Sequence, residues 1–157
     1  MFREMRRQKQ SLTREACTRL LKTETRGVLS MIGDDGYPYG VPINHYYCEE
    51  DGRLYFHGGK IGHRIDAVKA CDKVCYTVYD KGVCGDDGFY TVGCVIAFGR
   101  MSIVGDVERA LDICRRLCYK FTDSEDYIAG EIEKFGKATL VMSMDIEHMT
   151  GKLVQEK

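Results

Sequence analysis

The sequence predicts a mainly β fold of the α+β class, an antiparallel β-barrel with peripheral helices. Three observations carry that reading. Short segments rich in β-branched and aromatic residues are separated by turn signals, Asp34-Asp35-Gly36 and Glu50-Asp51-Gly52. The longest such segment, residues 89–105, holds Gly93 and Gly99, which suit the bends that curl a sheet closed. Apolar residues at helical spacing are confined to a few short stretches between strands.

Taken in order, SLTREACTRLLKT reads as a first helix: Thr13 caps it, Leu12 staples onto Cys17, and Ala16, Leu20 and Leu21 share an apolar face. RGVLSMIG, YPYGVPINHYYC and RLYFHG follow as strands of a meander, and Pro38 and Pro42 mark the start of the second as an edge or a bulge. Ile61, Ile65, Val68 and Cys71 then recur at helical spacing and predict a short helix with one buried face. KVCYTVY returns to strand, KGVCGDDG is a loop, and residues 89–105 form one long strand. Asp106 caps an amphipathic helix whose face is Val107, Ala110, Leu111, Cys114, Leu117, Cys118 and Phe121. A further helix covers residues 127–135, and ATLVMSMDIEHM is the last strand, followed by a polar tail. The total is about six strands with helices packed outside them.

A chain of 157 residues suits one domain, 1–157, with a proper core. The net charge of -1 argues against nucleic acid as a partner, since such binders carry a basic surplus. No apolar run reaches membrane-spanning length, and MFREMRRQKQ has no apolar segment behind it, so a cytoplasmic protein is expected. The 8 cysteines contain no CxxC pair, and they read as small, reduced core thiols rather than disulfides or a metal site.

The chemistry concentrates in LYFHGGKIGHRIDAV. Gly58 and Gly59 allow backbone N–H groups to converge on a ligand oxygen. Gly62, His63 and Arg64 fall in the first turn of the predicted helix, where free N–H groups favour an anion, and Lys60 and Arg64 add positive charge. Arg64 can grip a phosphate through two parallel hydrogen bonds. An ordinary solvated turn, or a metal held by His57, His63 and His45, are the alternatives. Upstream, YPYGVPINHYY belongs to a strand expected beside the HGG strand. Its prolines leave backbone groups free to meet a planar polar ring, and Asn44 adds a donor and an acceptor. A phosphate clamp beside a ring-reading strand suits a mononucleotide cofactor.

With these segments in this order, followed by CVIAFGRMSIV and DIEHMTGK, the chain resembles the FMN-binding split-barrel superfamily related to pyridoxamine 5'-phosphate oxidase. More narrowly, it is similar to the nitroimidazole-resistance (Nim-like) branch. The resemblance covers residues 11–152. It implies a split β-barrel and a homodimer with FMN in clefts at the dimer interface; residues 1–10 would be a flexible or dimer-crossing arm. Pro42, Ile43, Asn44, His45, Tyr46 and Tyr47 would line the ring and ribityl chain. His57 and Gly58 would follow, with Gly62, His63 and Arg64 at the phosphate and Lys60 beside it. His57 is the candidate catalytic residue, delivering a proton or touching a small-molecule substrate. The implied function is an FMN-dependent oxidoreductase acting on nitro-aromatic or other small electrophiles. The pyridoxamine phosphate oxidases carry Arg-Lys where this chain has His63-Arg64, and their C-terminal arginine–histidine motif is not visible here. Oxidation of pyridoxamine 5'-phosphate itself is therefore not expected, and His148 reads as a surface residue. The alternatives are a flavin-binding sensor or carrier without turnover, and a related barrel using haem, with His45 or His57 as axial ligand, or a deazaflavin.

Overall fold

The computed structural model describes residues 2–156; residues 1 and 157, the outermost positions of the expected arm and domain, lie outside the described residues. Eight strands form one antiparallel sheet: β1 (Arg26–Ile32), β2 (Pro38–Asn44), β3 (Tyr46–Cys48), β4 (Arg53–Gly59), β5 (Lys73–Tyr79), β6 (Val83–Cys84), β7 (Tyr90–Ile103) and β8 (Thr139–Glu156). Four α-helices accompany them: α1 (Arg14–Thr23), α2 (His63–Ala70), α3 (Val107–Cys118) and α4 (Glu125–Phe135). The order across the sheet is β2-β1-β5-β7-β8-β4-β3, with β6 paired to β7. The two end strands, β2 and β3, are consecutive in the chain, with His45 alone between them. One residue cannot span a flat sheet of this width, so the sheet must curl until its ends meet at His45. This is the split barrel that the family resemblance implies.

The segment expected as one strand, YPYGVPINHYYC, is thus two. β2 pairs only with β1, as the edge strand its prolines require, and β3 pairs with β4. The predicted neighbour of the HGG strand is therefore only its second half. β7 pairs with β8 from Tyr90↔Glu156 to Ile103↔Met142, so the expected polar tail continues as strand. The length of β7 gives that tail a ladder to join. The ladder slips between Phe98 and Gly99, a bulge at one of the two predicted bends.

Capping follows the sequence. Thr13 accepts from the Ala16 N–H, Asp106 from those of Glu108 and Arg109, and Ser124 from that of Tyr127. Three apolar details do not: Val107, the first residue of α3, is exposed despite its place on the expected apolar face. Ile61 is 91% exposed, because α2 starts only after Gly62, and Phe121 is exposed because α3 stops at Cys118.

The main core lies inside the curl, where Leu29, Phe56, Tyr76, Val78, Val95, Met142 and Met144 meet Cys17 and Leu21 of α1 and Ile65 and Val68 of α2. Each such side chain contributes roughly 1.5–3 kcal/mol by leaving water. A second cluster, Cys48, Tyr55, Ile113, Cys114 and Val141, fixes α3 to the outside of β3, β4 and β8. The N-terminal arm packs on its own chain from Phe2 onward: that ring stacks on His148 at 4.7 Å and approaches Phe98 at 5.5 Å. His148 is accordingly not a surface residue. It is half-buried, and its Nε2 is enclosed without a hydrogen-bond partner among the described residues.

Candidate functional site

Strand alternation assigns the side chains of β4. Leu54 and Phe56 enter the main core, while Tyr55 joins the second cluster on the opposite face. His57 shares the parity of Tyr55 and pairs across to Val141. Gly58 returns to the parity of Phe56 with no side chain, and the guanidinium of Arg64 from α2 fills that gap. A Cβ at residue 58 would overlap Nη2 and lie 3.0 Å from Cζ. Arg64 Nε is buried with no hydrogen-bond partner among the described residues. Burial lowers the His57 pKa, and the charge of Arg64 lowers it further, so His57 is predominantly neutral at neutral pH.

The chain reaches Arg64 through Gly62, whose φ of 121° is open to glycine and disfavoured for other residues. Gly62 is the N-cap of α2 and offers no side chain to the first-turn donors. No side chain caps the helix; its Ile65 N–H is taken by the Gly62 carbonyl, and the positive end of its dipole stands beside Arg64, an arrangement that attracts an anion.

The three cations of the corner do not converge as expected. Lys60 Nζ donates to the carbonyl of Lys137 at 2.6 Å, across the sheet end. The His63 ring stacks on Tyr39 at 4.1 Å, with Nε2 3.9 Å from an Asp34 carboxylate oxygen. These contacts spend Lys60 and His63 on neighbouring elements, the first on the turn before β8 and the second on the β1–β2 hairpin. Arg64 is the cation with a buried donor to spare.

The Pro42–Tyr47 segment is equally divided. Ile43 and Tyr47 point into the core, Asn44 Oδ1 accepts from Arg26 Nε at 2.7 Å, and the Tyr46 hydroxyl accepts from Arg116 at 3.4 Å. Pro42 is exposed on β2, whose outer edge carries N–H and C=O groups with no ladder partner. His45 is a correction. Its side chain is 0% exposed, Nε2 donates to the Leu21 carbonyl at 2.7 Å, and Nδ1 accepts from the Tyr76 hydroxyl at 2.8 Å. Burial, helped by the charge of Lys120, pushes its pKa down to about 3. A neutral ring with both nitrogens engaged inside the barrel can neither line a cofactor nor serve as an axial or metal ligand. Among the described residues no group of His, Cys, Asp and Glu could hold a metal ion.

Sequence reasoning missed the insertion of Arg64 into the Gly58 gap, the role of Tyr39 and Asp34 as supports of His63, and the capture of Lys60 by Lys137. The turn signal at Asp34 could have suggested the second; nothing local announces the others.

A family model described as pyridoxamine 5'-phosphate oxidase matches residues 13–153. Among solved structures, the chain is similar to a candidate 5-nitroimidazole antibiotic resistance protein from Bacteroides thetaiotaomicron, at TM-score 0.75 and 19% identity over 93% of this chain and 87% of that one. It is similar to the flavocytochrome Anf3 from Azotobacter vinelandii, at 0.74 and 20% over 96% and 72%. A third is the FAD-binding protein from Mycobacterium smegmatis, at 0.68 and 17% over 94% and 99%. No match is found among curated proteins. At these identities the structural likenesses establish the fold. No helix among the described residues is long and apolar enough to cross a membrane.

Proposed function

Because the chain belongs to the pyridoxamine 5'-phosphate oxidase family, whose model spans residues 13–153, we propose that it is an FMN-binding oxidoreductase that reduces small electrophiles, nitro-aromatic compounds among them, as a homodimer. The observation that carries this reading is the buried, unpartnered Nε of Arg64, set in the Gly58 gap at the uncapped start of α2. A buried charged donor without a partner is costly, and a terminal phosphate oxygen is the acceptor this corner fits.

In this reading Arg64 holds the phosphate, aided by the positive dipole end of α2, and Gly58 keeps the space that lets Arg64 stand there. The open edge of β2 around Pro42 offers backbone groups to the ring, a carbonyl at Pro42 itself, which has no N–H. His63 and Lys60 act at one remove, by fixing the hairpin and the turn that enclose the corner. Bound FMN would supply the electron transfer, while the protein supplies orientation and water exclusion. With its pKa lowered, His57 serves as a neutral hydrogen-bonding group towards cofactor or substrate rather than as a charged proton donor.

The resemblance of the fold to the nitroimidazole-resistance structure and to flavin-binding proteins supports this assignment. Its test is the absorbance spectrum of the freshly purified protein, followed by heat release and identification of the chromophore. FMN is expected. Released FAD would transfer the site to a dinucleotide, a Soret band would transfer it to haem, and a colourless protein that takes up no added FMN would overturn the reading.

A further inference from the structure

Around the bulge at Phe98, the N-terminal arm crosses the outer face of β7 and β8. Val95 and Ala97 enter the core, so alternation turns Ile96 and Phe98 outward, with Thr150 opposite the first and His148 opposite the second. The arm joins the barrel at Ser11, bridged to Lys152, and at Leu12, whose N–H donates to the Gly151 carbonyl at 2.9 Å. Its far end returns over the strands, where the Phe2 ring lies almost parallel to that of His148, at an interplanar angle of 6°. Arm and sheet enclose a cleft of about 280 Å³, at the small end of the range for ligand pockets.

The lining of this cleft is chiefly apolar and aromatic. Phe2, Phe98 and His148 supply ring surfaces, Ile96 an aliphatic wall and Met5 a thioether. Its formal charges are those of Arg3 and Lys152, and no carboxylate among the described residues lines it. Neither cation enters an ion pair or a side-chain hydrogen bond among the described residues. His148 Nε2, enclosed beneath the arm, also lacks a hydrogen-bond partner there. Two unneutralised cations at an aromatic cleft, beside a ring nitrogen with an unmet hydrogen bond, fit a flat apolar group that ends in an anion.

We propose that this cleft binds a small aromatic carboxylate, with the arm closed over it. The ring of the ligand packs between Phe98 and Ile96 on the sheet and Phe2 on the arm. Arg3 takes the carboxylate through its planar fork, Lys152 meets it as a point charge, and a polar atom of the ligand gives His148 Nε2 its partner. The volume admits a single substituted ring and excludes a flavin. The site is therefore additional to the proposed FMN corner and does not depend on it: on β8, Val141 stands opposite His57, while His148 stands further along, opposite Phe98.

The test is a titration of the native full-length chain with benzoate, benzamide and acetate, followed by backbone amide chemical shifts. Benzoate is expected to bind with a Kd on the order of 1 mM, and at least about tenfold more tightly than benzamide, which lacks the charge, or acetate, which lacks the ring. The largest shifts should fall on Ile96, Phe98 and Thr150. Arg3→Gln combined with Lys152→Gln, two side chains that no other residue engages, should keep the urea midpoint and bring benzoate to the affinity of benzamide. Phe2→Ala should weaken benzoate and benzamide alike. Benzoate bound no more tightly than benzamide, no shifts at about 20 mM, shifts centred on Gly58 and Arg64, or unchanged benzoate affinity in the double variant would each overturn the proposal.

Discussion

Two histidine-bearing corners of the barrel are finished in opposite ways. At the β2–β3 crossing, His45 is enclosed, and each of its nitrogens has a partner supplied by the protein, Leu21 on one side and Tyr76 on the other. The Tyr76 hydroxyl also reaches the carbonyl of Ile43, so the crossing is stitched to β5 and to α1 at once. At the β4–α2 corner the protein leaves work undone: a glycine caps the helix, another glycine opens a gap, and the arginine filling that gap keeps a buried donor unpaired. Saturation marks a structural joint, and we propose that the unsaturated corner is a place for a ligand.

The largest effect should come from breaking the saturated corner. His45→Ala removes the donor to the Leu21 carbonyl and one of the two partners of the Tyr76 hydroxyl, and opens a cavity in the closure of the barrel, and should destabilise the fold by about 3–4 kcal/mol in urea unfolding. A cost below about 1 kcal/mol would mean that the crossing does not depend on this ring. The same joint predicts a pH dependence. The unfolded chain binds a proton at His45 below about pH 6.5, while the folded chain resists it until about pH 3, so stability rises with pH across that window. Acidification from pH 7 to 4 should cost on the order of 3 kcal/mol, and His45→Gln, which cannot titrate, should flatten that slope.

At the unsaturated corner, Arg64→Ala should weaken FMN binding by about 10- to 100-fold, the worth of a charge-assisted phosphate contact, and leave riboflavin binding nearly unchanged. Gly58→Ala removes no donor, yet its methyl group takes the place of the guanidinium, so a similar loss is expected. Retained FMN affinity in Gly58→Ala would separate the gap from the site. The smallest effect belongs to Lys60→Met, whose amine is engaged by Lys137: FMN affinity should fall by less than about threefold.

The two corners also differ in how far they were legible in the sequence. Caps, turns and strands were readable because Thr13, Asp106 and the Asp-Gly pairs act within a few residues of themselves. The candidate corner was readable for the same reason, since Gly58, Gly62 and Arg64 lie on one short stretch. His45 misled because it stands among prolines, an asparagine and tyrosines that suit a binding strand. Its role is set by Leu21 and Tyr76, 24 and 31 residues away. Lys60 was assigned to the phosphate for want of any sign that a carbonyl 77 residues on would capture it. Ile61 fitted a helical period, but a period does not say where a helix begins; the glycine after it did. The last strand was cut short because its extension depends on the length of β7, a property of the partner strand.

The central claim is that Arg64 and the start of α2 recognise a phosphate. The most direct measurement is a titration of cofactor-free protein with FMN and with riboflavin under identical conditions, followed by flavin fluorescence, which the absence of tryptophan leaves free of overlap. The account predicts that FMN binds at least about 30-fold more tightly than riboflavin, a difference of about 2 kcal/mol carried by the phosphate. Equal affinity for the two would contradict it.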